Sequence, residues 1–185
     1  KAFNVGLIEN IVWRGTDTNQ ARVFDVNYLN PVIFFRPVEY AVGSPDNSFL
    51  GLNLSGIIKN QLRLYGQIGL DEFFLKEIRA RRGWWANKQA AQLGFKYIDA
   101  FGLPNLDLQG EANLIRPYTY QHMDKFRNYQ HYNQPLAHPI GANLYELIGI
   151  IILNRDRKPQ VFSTQFLQPD QTLHLLLEPI LLATY

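Results

Sequence analysis

Apolar and polar residues alternate strictly over runs of about ten residues, and this feature constrains the fold more than any other. In the clearest run, 105–114, the apolar positions are Leu106, Leu108, Gly110, Ala112 and Leu114, and the polar positions are Asn105, Asp107, Gln109, Glu111 and Asn113. Successive side chains of a β-strand point to opposite faces, so the run predicts a strand with one apolar and one polar face. Runs at 61–70 and 89–98 repeat the pattern, and Phe3, Val5 and Leu7 begin a fourth.

The length of these runs favours a membrane barrel over an ordinary sheet. Strands of globular proteins average about five or six residues, whereas a tilted strand that crosses hydrocarbon needs about 9–11. Charged residues make up 18% of the chain, against about a quarter in soluble domains. We therefore expect an all-β fold, an antiparallel transmembrane β-barrel that forms a single domain over 1–185. A soluble antiparallel sheet with one wet face has the same period and remains the alternative.

Other classes of protein receive little support. The net charge of +2 is too small for a nucleic-acid surface, and the absence of cysteine rules out disulfides and thiolate metal sites. The longest apolar run, 147–153, is much shorter than the ~20 residues of a membrane-spanning helix. No signal peptide is visible, so we expect a removed export signal or a start within a longer protein. Residues 150–185 alternate poorly, and 175–182 is unusual for a barrel strand because Pro179 removes a backbone donor from the ladder.

Two connections between the predicted strands differ in character. Residues 71–87 carry Phe74 and Ile78 at helical spacing and predict a short helix that ends at Gly83. Trp84 and Trp85 after it fit either loop packing or an aromatic belt at a membrane interface. The arginines of this connection are interpreted as a solvated loop: Arg79, Arg81 and Arg82.

The second connection, 116–143, is long and rich in Tyr, His, Asn and Gln, and it contains three prolines. A loop of this length is usually functional or disordered, and its aromatic content argues against disorder. Planar polar groups match sugar hydroxyls, while aromatic rings cover sugar C–H groups at low entropic cost. The candidate glycan-binding residues are Arg116, Tyr118, Tyr120, His122, His131, Tyr132, Asn133, Gln134 and His138. The candidate lumen-facing residues are Asn105, Asp107, Gln109, Glu111 and Asn113.

The residues that could carry catalysis or hold a metal do not form a recognisable motif. The four histidines, His122, His131, His138 and His174, lack a tight ligand spacing, and no nucleophile elbow or phosphate-binding loop occurs. A glycosidase needs a carboxylate pair, for which Asp71, Glu72 and Glu111 are the candidates. Adjacent Asp71 and Glu72 would point to opposite faces of an extended chain, and Glu111 lies within a polar row. We therefore expect no catalytic residues, no metal and no cofactor.

Several short motifs occur in a fixed order: NPVIFFRPVE at 30–39, GSPDN at 43–47, LYGQ at 64–67, LDEF at 70–73, GWWANK at 83–88, NLDLQ at 105–109, RPYTYQH at 116–122 and HYNQPLAHPIGAN at 131–143. Together they resemble the capsule-assembly Wzi family, in the form found in Bacteroidota, over roughly 26–149. The resemblance implies a non-enzymatic, many-stranded barrel in the outer membrane of a Gram-negative bacterium. Family members are much longer than this chain. At ~20 residues per strand and turn, the chain could supply only about eight strands. We therefore expect it to be a fragment of a larger barrel.

Three functional hypotheses follow from the pattern and the resemblance. The first is a barrel that attaches or assembles surface (capsular) polysaccharide, with membrane lipid and surface polysaccharide as partners. The second is a structural subunit of a gliding-motility or type 9 secretion-associated complex, with other outer-membrane or periplasmic subunits as partners. The third is a soluble β-rich glycan-binding protein or glycosidase. None of the three involves nucleic acid.

Overall fold

The alternating segments form one large antiparallel sheet. The computed structural model describes residues 2–14, 16–17, 20–21, 29, 46–72, 88–132, 134–155, 158–169 and 174–178. Within these ranges the strands are β1 (Phe3–Val12), β2 (Thr16–Asp17), β3 (Gln20–Ala21), β4 (Asn47–Ile58), β5 (Leu62–Glu72), β6 (Lys88–Tyr97), β7 (Leu106–Ile115), β8 (Gln130–His131), β9 (Gln134–Pro135), β10 (Leu144–Arg155), β11 (Lys158–Pro169) and β12 (His174–Glu178).

The main sheet is a meander, because each long strand pairs with the next long strand along the chain. It has eight strands in the order β1-β4-β5-β6-β7-β10-β11-β12. The short strands make two separate pairs, β2 with β3 and β8 with β9. As far as the structure is described, β1 and β12 do not pair, so the sheet is not closed. The short 3₁₀ helices are Ala100–Gly102 and Lys125–Arg127, and the described ranges hold no helix long and apolar enough to cross a membrane.

The strands predicted at 61–70, 89–98 and 105–114 are confirmed as β5, β6 and β7, and the run that begins at Phe3 is confirmed as β1. The all-β class is therefore confirmed. Asp71 and Glu72 belong to β5 rather than to a helix. The rest of the predicted helix, with Trp84, Trp85 and the arginine cluster, lies outside the described residues.

Three strands lie partly or wholly within 150–185, where the alternation is poor. β10 continues to Arg155, β11 covers Lys158–Pro169, and β12 ends at Glu178, directly before Pro179. The alternation fails in β10 because apolar residues occupy both of its faces. Ile148 pairs with Glu111 on the polar side of the sheet, whereas Leu147 pairs with Ala112 on the apolar side.

The connections at the two ends of the long strands differ in length. At one end they are short: 59–61, 98–105 and 156–157. At the other end they include 13–46, 73–87 and 116–143, with the shorter 170–173 between β11 and β12. In the β4–β5 turn, Lys59 and Asn60 have φ of 50° and 57°, and the Gln61 backbone N–H donates to the Ile58 carbonyl over 3.2 Å. Two consecutive left-handed residues match the twist of a tight hairpin.

One face of the sheet is an exposed apolar surface, called the apolar band below. Its large exposed side chains are Phe3, Val5, Leu7, Leu54, Ile58, Leu64, Ile68, Leu93, Phe95, Leu114, Tyr145, Leu147, Ile151 and Phe162. The register places all of them on the same side of the sheet. Leu93 lies in the middle of β6, a central strand, and is nevertheless 69% exposed.

The opposite side, called the polar face, lies towards the 116–143 loop and holds most of the buried residues. Of the exceptions, Ala100 lies in the 98–105 turn and Ser48 pairs with Ile11 on the apolar side. The few buried apolar residues of the described chain are Phe49, Ala100, Ile115, Tyr129 and Leu144. The buried polar residues are Asp46, Asn47, Ser48, Asp71, Lys88, Asn113, Thr119, Arg127 and Glu146. The usual arrangement of a water-soluble sheet, with apolar side chains inside and polar ones outside, is thus reversed.

Candidate functional site

Two carboxylates on the polar face share one hydrogen-bond network, called the carboxylate network below. The Asn113 side-chain amide donates to Glu111 over 2.9 Å and to Glu146 over 2.7 Å. Glu111 also accepts hydrogen bonds from the Tyr65 hydroxyl (2.7 Å) and from Gln92 (2.9 Å). The two carboxylates therefore each lie within hydrogen-bond distance of the same Asn113 nitrogen.

Glu146 is the more deeply buried of the two, with 3% of its surface exposed. Besides Asn113, its partners are the His138 ring, with 2.9 Å from Nε2 to Oε2, and the Gln165 side-chain amide. Buried carboxylates are tolerated only when donors replace the lost water. The donors come from four strands and one loop, so the network connects β5, β6, β7, β10, β11 and 116–143.

The strand register assembles this network from residues far apart in the chain. Asn53, Gln67, Gln92, Asn113 and Glu146 are consecutive cross-strand partners from β4 to β10. They form one polar row across the polar face because partners directly opposite in antiparallel strands share a side.

A glycine on β6 makes room for the Tyr65 side chain of β5 to reach Glu111 on β7. Tyr65 is paired with Gly94 on β6, and Gly94 with Glu111 on β7. The Tyr65 ring lies across Gly94, where an added Cβ would overlap the ring atoms. The hydroxyl thereby reaches Glu111, two strands away. The same contact of an aromatic ring with a glycine occurs for Phe49 over Gly69 and for Phe95 over Gly110.

The 116–143 loop packs onto one end of the polar face. The Tyr120 backbone N–H donates to the Asp71 carboxylate over 2.9 Å. The Tyr129 ring stacks on Phe49 at 4.5 Å between centroids, and its hydroxyl accepts a hydrogen bond from Asn10 over 2.7 Å. Burial, and next the nearby Asp71 carboxylate, raise the pKa of the Tyr120 hydroxyl to about 12.

Cationic and amide side chains complete the docking of the loop. Lys88 Nζ donates to the Gln121 carbonyl over 2.6 Å, and the Asn47 amide donates to the Arg127 carbonyl over 3.0 Å. The Arg127 guanidinium lies 3.6 Å from both Asp46 and Asp124. Together with Asn10 and Asp71, these contacts mean that four strands, β1, β4, β5 and β6, hold this segment of the loop.

A cavity of about 760 Å³ remains between the loop and the sheet. Its polar wall includes the carboxylate network and the row partners of Asn113, and its aromatic wall is formed by Phe49, Tyr120 and Tyr129. Binding pockets for small molecules have volumes of about 300–1,000 Å³, so the cavity is large enough for a ligand of a few sugar units.

The structure separates the sequence-predicted glycan residues into two groups. Tyr120 and His138 line the cavity. Tyr118 and Tyr132 are 54% and 88% exposed, and His131 and Gln134 are exposed near them.

Arg116 and His122 are not among the described residues that line the cavity. Arg116 is half-buried, and its carbonyl accepts a hydrogen bond from the Asn143 backbone N–H. His122 accepts one from the Asp124 backbone N–H at its ring. Asn133 lies outside the described residues.

Only some of the predicted lumen-facing residues belong to the site. Glu111 and Asn113 belong to the carboxylate network. Gln109 shares their side further along β7 and pairs with Lys96 and Ile150. Asp107 accepts a hydrogen bond from the Asp99 backbone N–H over 3.2 Å, and Asn105 lies in the turn before β7 with φ of 67°.

Sequence reasoning missed several members of the site, namely Phe49, Gln92, Gln165 and Glu146. Glu146 had a usable signal, since it is a single charge within the apolar stretch that opens β10. Gln165 and Phe49 had none, because only the register of β11 and the docking of the loop bring them to the cavity. Tyr65 and Gln92 lie in the alternating runs at 61–70 and 89–98, but the side chains that they would meet could not be read from the sequence.

Among the described residues, Glu111 is the one carboxylate considered for a glycosidase pair that belongs to the carboxylate network. Asp71 is fully buried and holds the Tyr120 backbone, which gives it a structural role. The pair that forms is Glu111 with Glu146, and both are occupied by several donors. In the described ranges no three His, Asp or Glu side chains are placed to hold a metal ion.

Comparisons of this chain with protein-family models, with curated proteins and with solved structures found no match.

Proposed function

We propose that this chain forms part of the wall of an outer-membrane β-barrel that binds or organises surface polysaccharide without catalysing a reaction. In this proposal the apolar band contacts lipid, and the polar face lines the lumen. The sheet described above would be one section of a larger closed barrel.

The reversal of apolar and polar faces is the observation that carries the proposal. Burying one Leu or Phe side chain is worth about 1.5–3 kcal/mol, and the apolar band leaves a whole sheet face of such side chains exposed. A patch of this extent marks contact with a membrane or another protein. Lipid fits best because the opposite face is polar and buried, as in a barrel lumen.

The strands and their connections support the same proposal. The strands β1, β6 and β7 have 10 residues each, and β4, β10 and β11 have 12, close to the ~9–11 that cross a membrane. Short connections at one end and long ones at the other are typical of outer-membrane barrels. The exposed Phe101 and Leu103 lie in the short 98–105 connection, where interfacial apolar residues are expected.

The polysaccharide part of the proposal depends on the cavity and on the exposed tyrosines. Carboxylates and carboxamides match sugar hydroxyls, and the exposed Tyr118 and Tyr132 rings of the same loop offer flat apolar surfaces. The resemblance of the 116–122 and 131–143 motifs to a capsule-assembly family agrees with this role. A structural subunit of a motility or secretion complex would share the barrel but would have no glycan ligand.

The membrane contact is tested by two arginine substitutions at exposed leucines. Leu93 occupies the middle of the apolar band, whereas Leu103 is 55% exposed in the 98–105 turn. We expect Leu93→Arg to lower the free energy of unfolding in lipid by about 2–4 kcal/mol and Leu103→Arg by about 0–1. The wild-type chain should partition into detergent and migrate differently on gels after heating. A soluble glycan-binding sheet would need no detergent, and Leu93→Arg would cost it nothing.

The glycan role is tested with cells that express loop variants. Replacing Tyr118, Tyr120 and Tyr132 by Ala should weaken the retention of surface polysaccharide while gel migration of the folded barrel stays unchanged. The matched control is Met123→Ala, because Met123 is 94% exposed in the same loop but carries no ring. Retention equal to wild type, in cells and by the purified triple variant, would favour the purely structural subunit.

A further inference from the structure

The polar wall of the cavity repeats one kind of group at regular intervals. Asn53, Gln67, Gln92 and Asn113 each supply a carboxamide to the wall, and Glu146 follows them in the same row. Adjacent strands lie about 4.8 Å apart, which is similar to the length of one pyranose unit. A carboxamide both donates and accepts. The Asn113 amide already donates to Glu111 and Glu146, so this residue offers its carbonyl oxygen as an acceptor to a hydroxyl or an acetamido N–H.

The aromatic wall stands at the end of this row. Phe49 and Tyr129 are stacked, and Tyr120 packs against both at 6.1 and 6.2 Å between centroids. Their rings cover the β4 end of the cavity, while Leu136 and Ile140 of the loop line it from above. An elongated ligand with alternating hydroxyl and C–H surfaces would fit between these walls.

The charge of the cavity is negative. Glu111 and Glu146 lie in its floor, and the described lining residues include no Lys or Arg; His138 is the one basic group among them. The cations at the docked end of the loop are engaged elsewhere, Lys88 with the Gln121 carbonyl and Arg127 with Asp46. Most donors to the two carboxylates are neutral amides or a hydroxyl. They stabilise the carboxylates by hydrogen bonding but do not neutralise their negative charge.

We propose that the cavity selects neutral and amino-substituted oligosaccharide segments and rejects acidic ones. This inference rests on the proposed glycan-binding function and specifies its ligand class. A uronate or phosphate group placed in the floor would lie close to Glu111 and Glu146 in a partly enclosed site, where like charges repel strongly. An amino sugar would instead gain a charge-assisted hydrogen bond.

The test measures the binding of three oligosaccharide probes to the purified wild-type chain in detergent. They are oligomers of N-acetylglucosamine, which are neutral, of glucosamine, which are cationic, and of galacturonate, which are anionic. We expect the neutral and cationic oligomers to bind and the anionic one to bind at least about tenfold more weakly. Added salt should reduce this difference, because salt screens the repulsion.

A charge-removing variant and a matched control locate the effect. Glu111→Gln should narrow the difference between neutral and anionic oligomers several-fold. Asp107→Asn, on the same side of β7 but outside the cavity lining, should leave it unchanged. If Glu111→Gln does not fold, the effect of added salt on oligomer binding by the wild-type chain decides whether charge repulsion causes the difference.

The possible outcomes distinguish this inference from the proposed function. Anionic oligomers that bind as tightly as neutral ones would overturn the charge selectivity while leaving glycan binding in place. Absence of binding by all three probes would overturn the cavity as a glycan site, and the cellular retention experiment would then decide the proposed function separately.

Discussion

The contact between Tyr65 and Gly94 allows a sharp test of the carboxylate network. Gly94 has no unusual backbone angle, so alanine could adopt its conformation, but the new Cβ would overlap the Tyr65 ring. The ring would have to move, and the 2.7 Å hydrogen bond from its hydroxyl to Glu111 would break. A hydrogen bond to a charged group contributes about 1.5–3 kcal/mol. Replacing Gly by Ala without strain stabilises a protein by about 0.4–1 kcal/mol, so the net loss of stability for Gly94→Ala should be about 1.5 kcal/mol.

A double-mutant cycle with Tyr65→Ala isolates this contact. Without the ring, the methyl group of Gly94→Ala has free space, so the same substitution should then stabilise the chain by about 0.5 kcal/mol. The measurement is reversible urea unfolding of the four proteins in the same detergent. Tyr65→Phe is the informative control, because it keeps the ring and removes only the hydroxyl. In that background Gly94→Ala should cost less than in the wild type.

The size of the coupling decides the outcome. Contacting residues commonly show interaction energies of about 0.5–3 kcal/mol, and we expect a value near the upper end. If Gly94→Ala costs the same with and without the Tyr65 side chain, the ring does not lie over Gly94. The proposed contact of the Tyr65 hydroxyl with Glu111 across Gly94 would then be refuted.

Two further predictions concern the docked loop. In an ultraviolet titration of tyrosinate absorbance, Tyr120 should ionise near pH 12, and Tyr120→Phe should lower the absorbance change near that pH by the amount of one tyrosine. Because this pKa is above the ordinary value of about 10, its contribution to stability is complete below pH 10 and is lost as the pH rises towards 12. If Tyr120→Phe leaves the absorbance change near pH 12 unaltered, the loop is not docked. Tyr129→Phe removes the acceptor of the Asn10 amide and should lower the free energy of unfolding by about 0.5–1.5 kcal/mol. Amide hydrogen exchange should become faster over 116–132 and stay unchanged in β6. Equal acceleration in both segments would contradict a local role for this hydrogen bond.

The alternating runs were sufficient to predict β5, β6 and β7 and the two faces of each strand. Side-chain period alone sets which residues of a strand share a face, so the spacing of Glu111 and Asn113 is enough to place them on the same side of β7. The same rule failed in β10, where Ile148 and Ile150 fill positions on the polar side. A strand that is apolar on both faces has no alternation to read.

The sequence by itself determined β5, β6 and β7, their faces and the long polar loop, because these depend on the spacing of residues close together in the chain. Only the tertiary structure decided which side chains meet. Glu111 and Glu146 share Asn113 because β7 and β10 pair in one register across a long connection, and a shift of one residue would turn Glu146 to the apolar band. The docking of Tyr120 and Tyr129 onto Asp71 and Phe49 depends in the same way on contacts between residues that are distant in sequence, which no local pattern encodes.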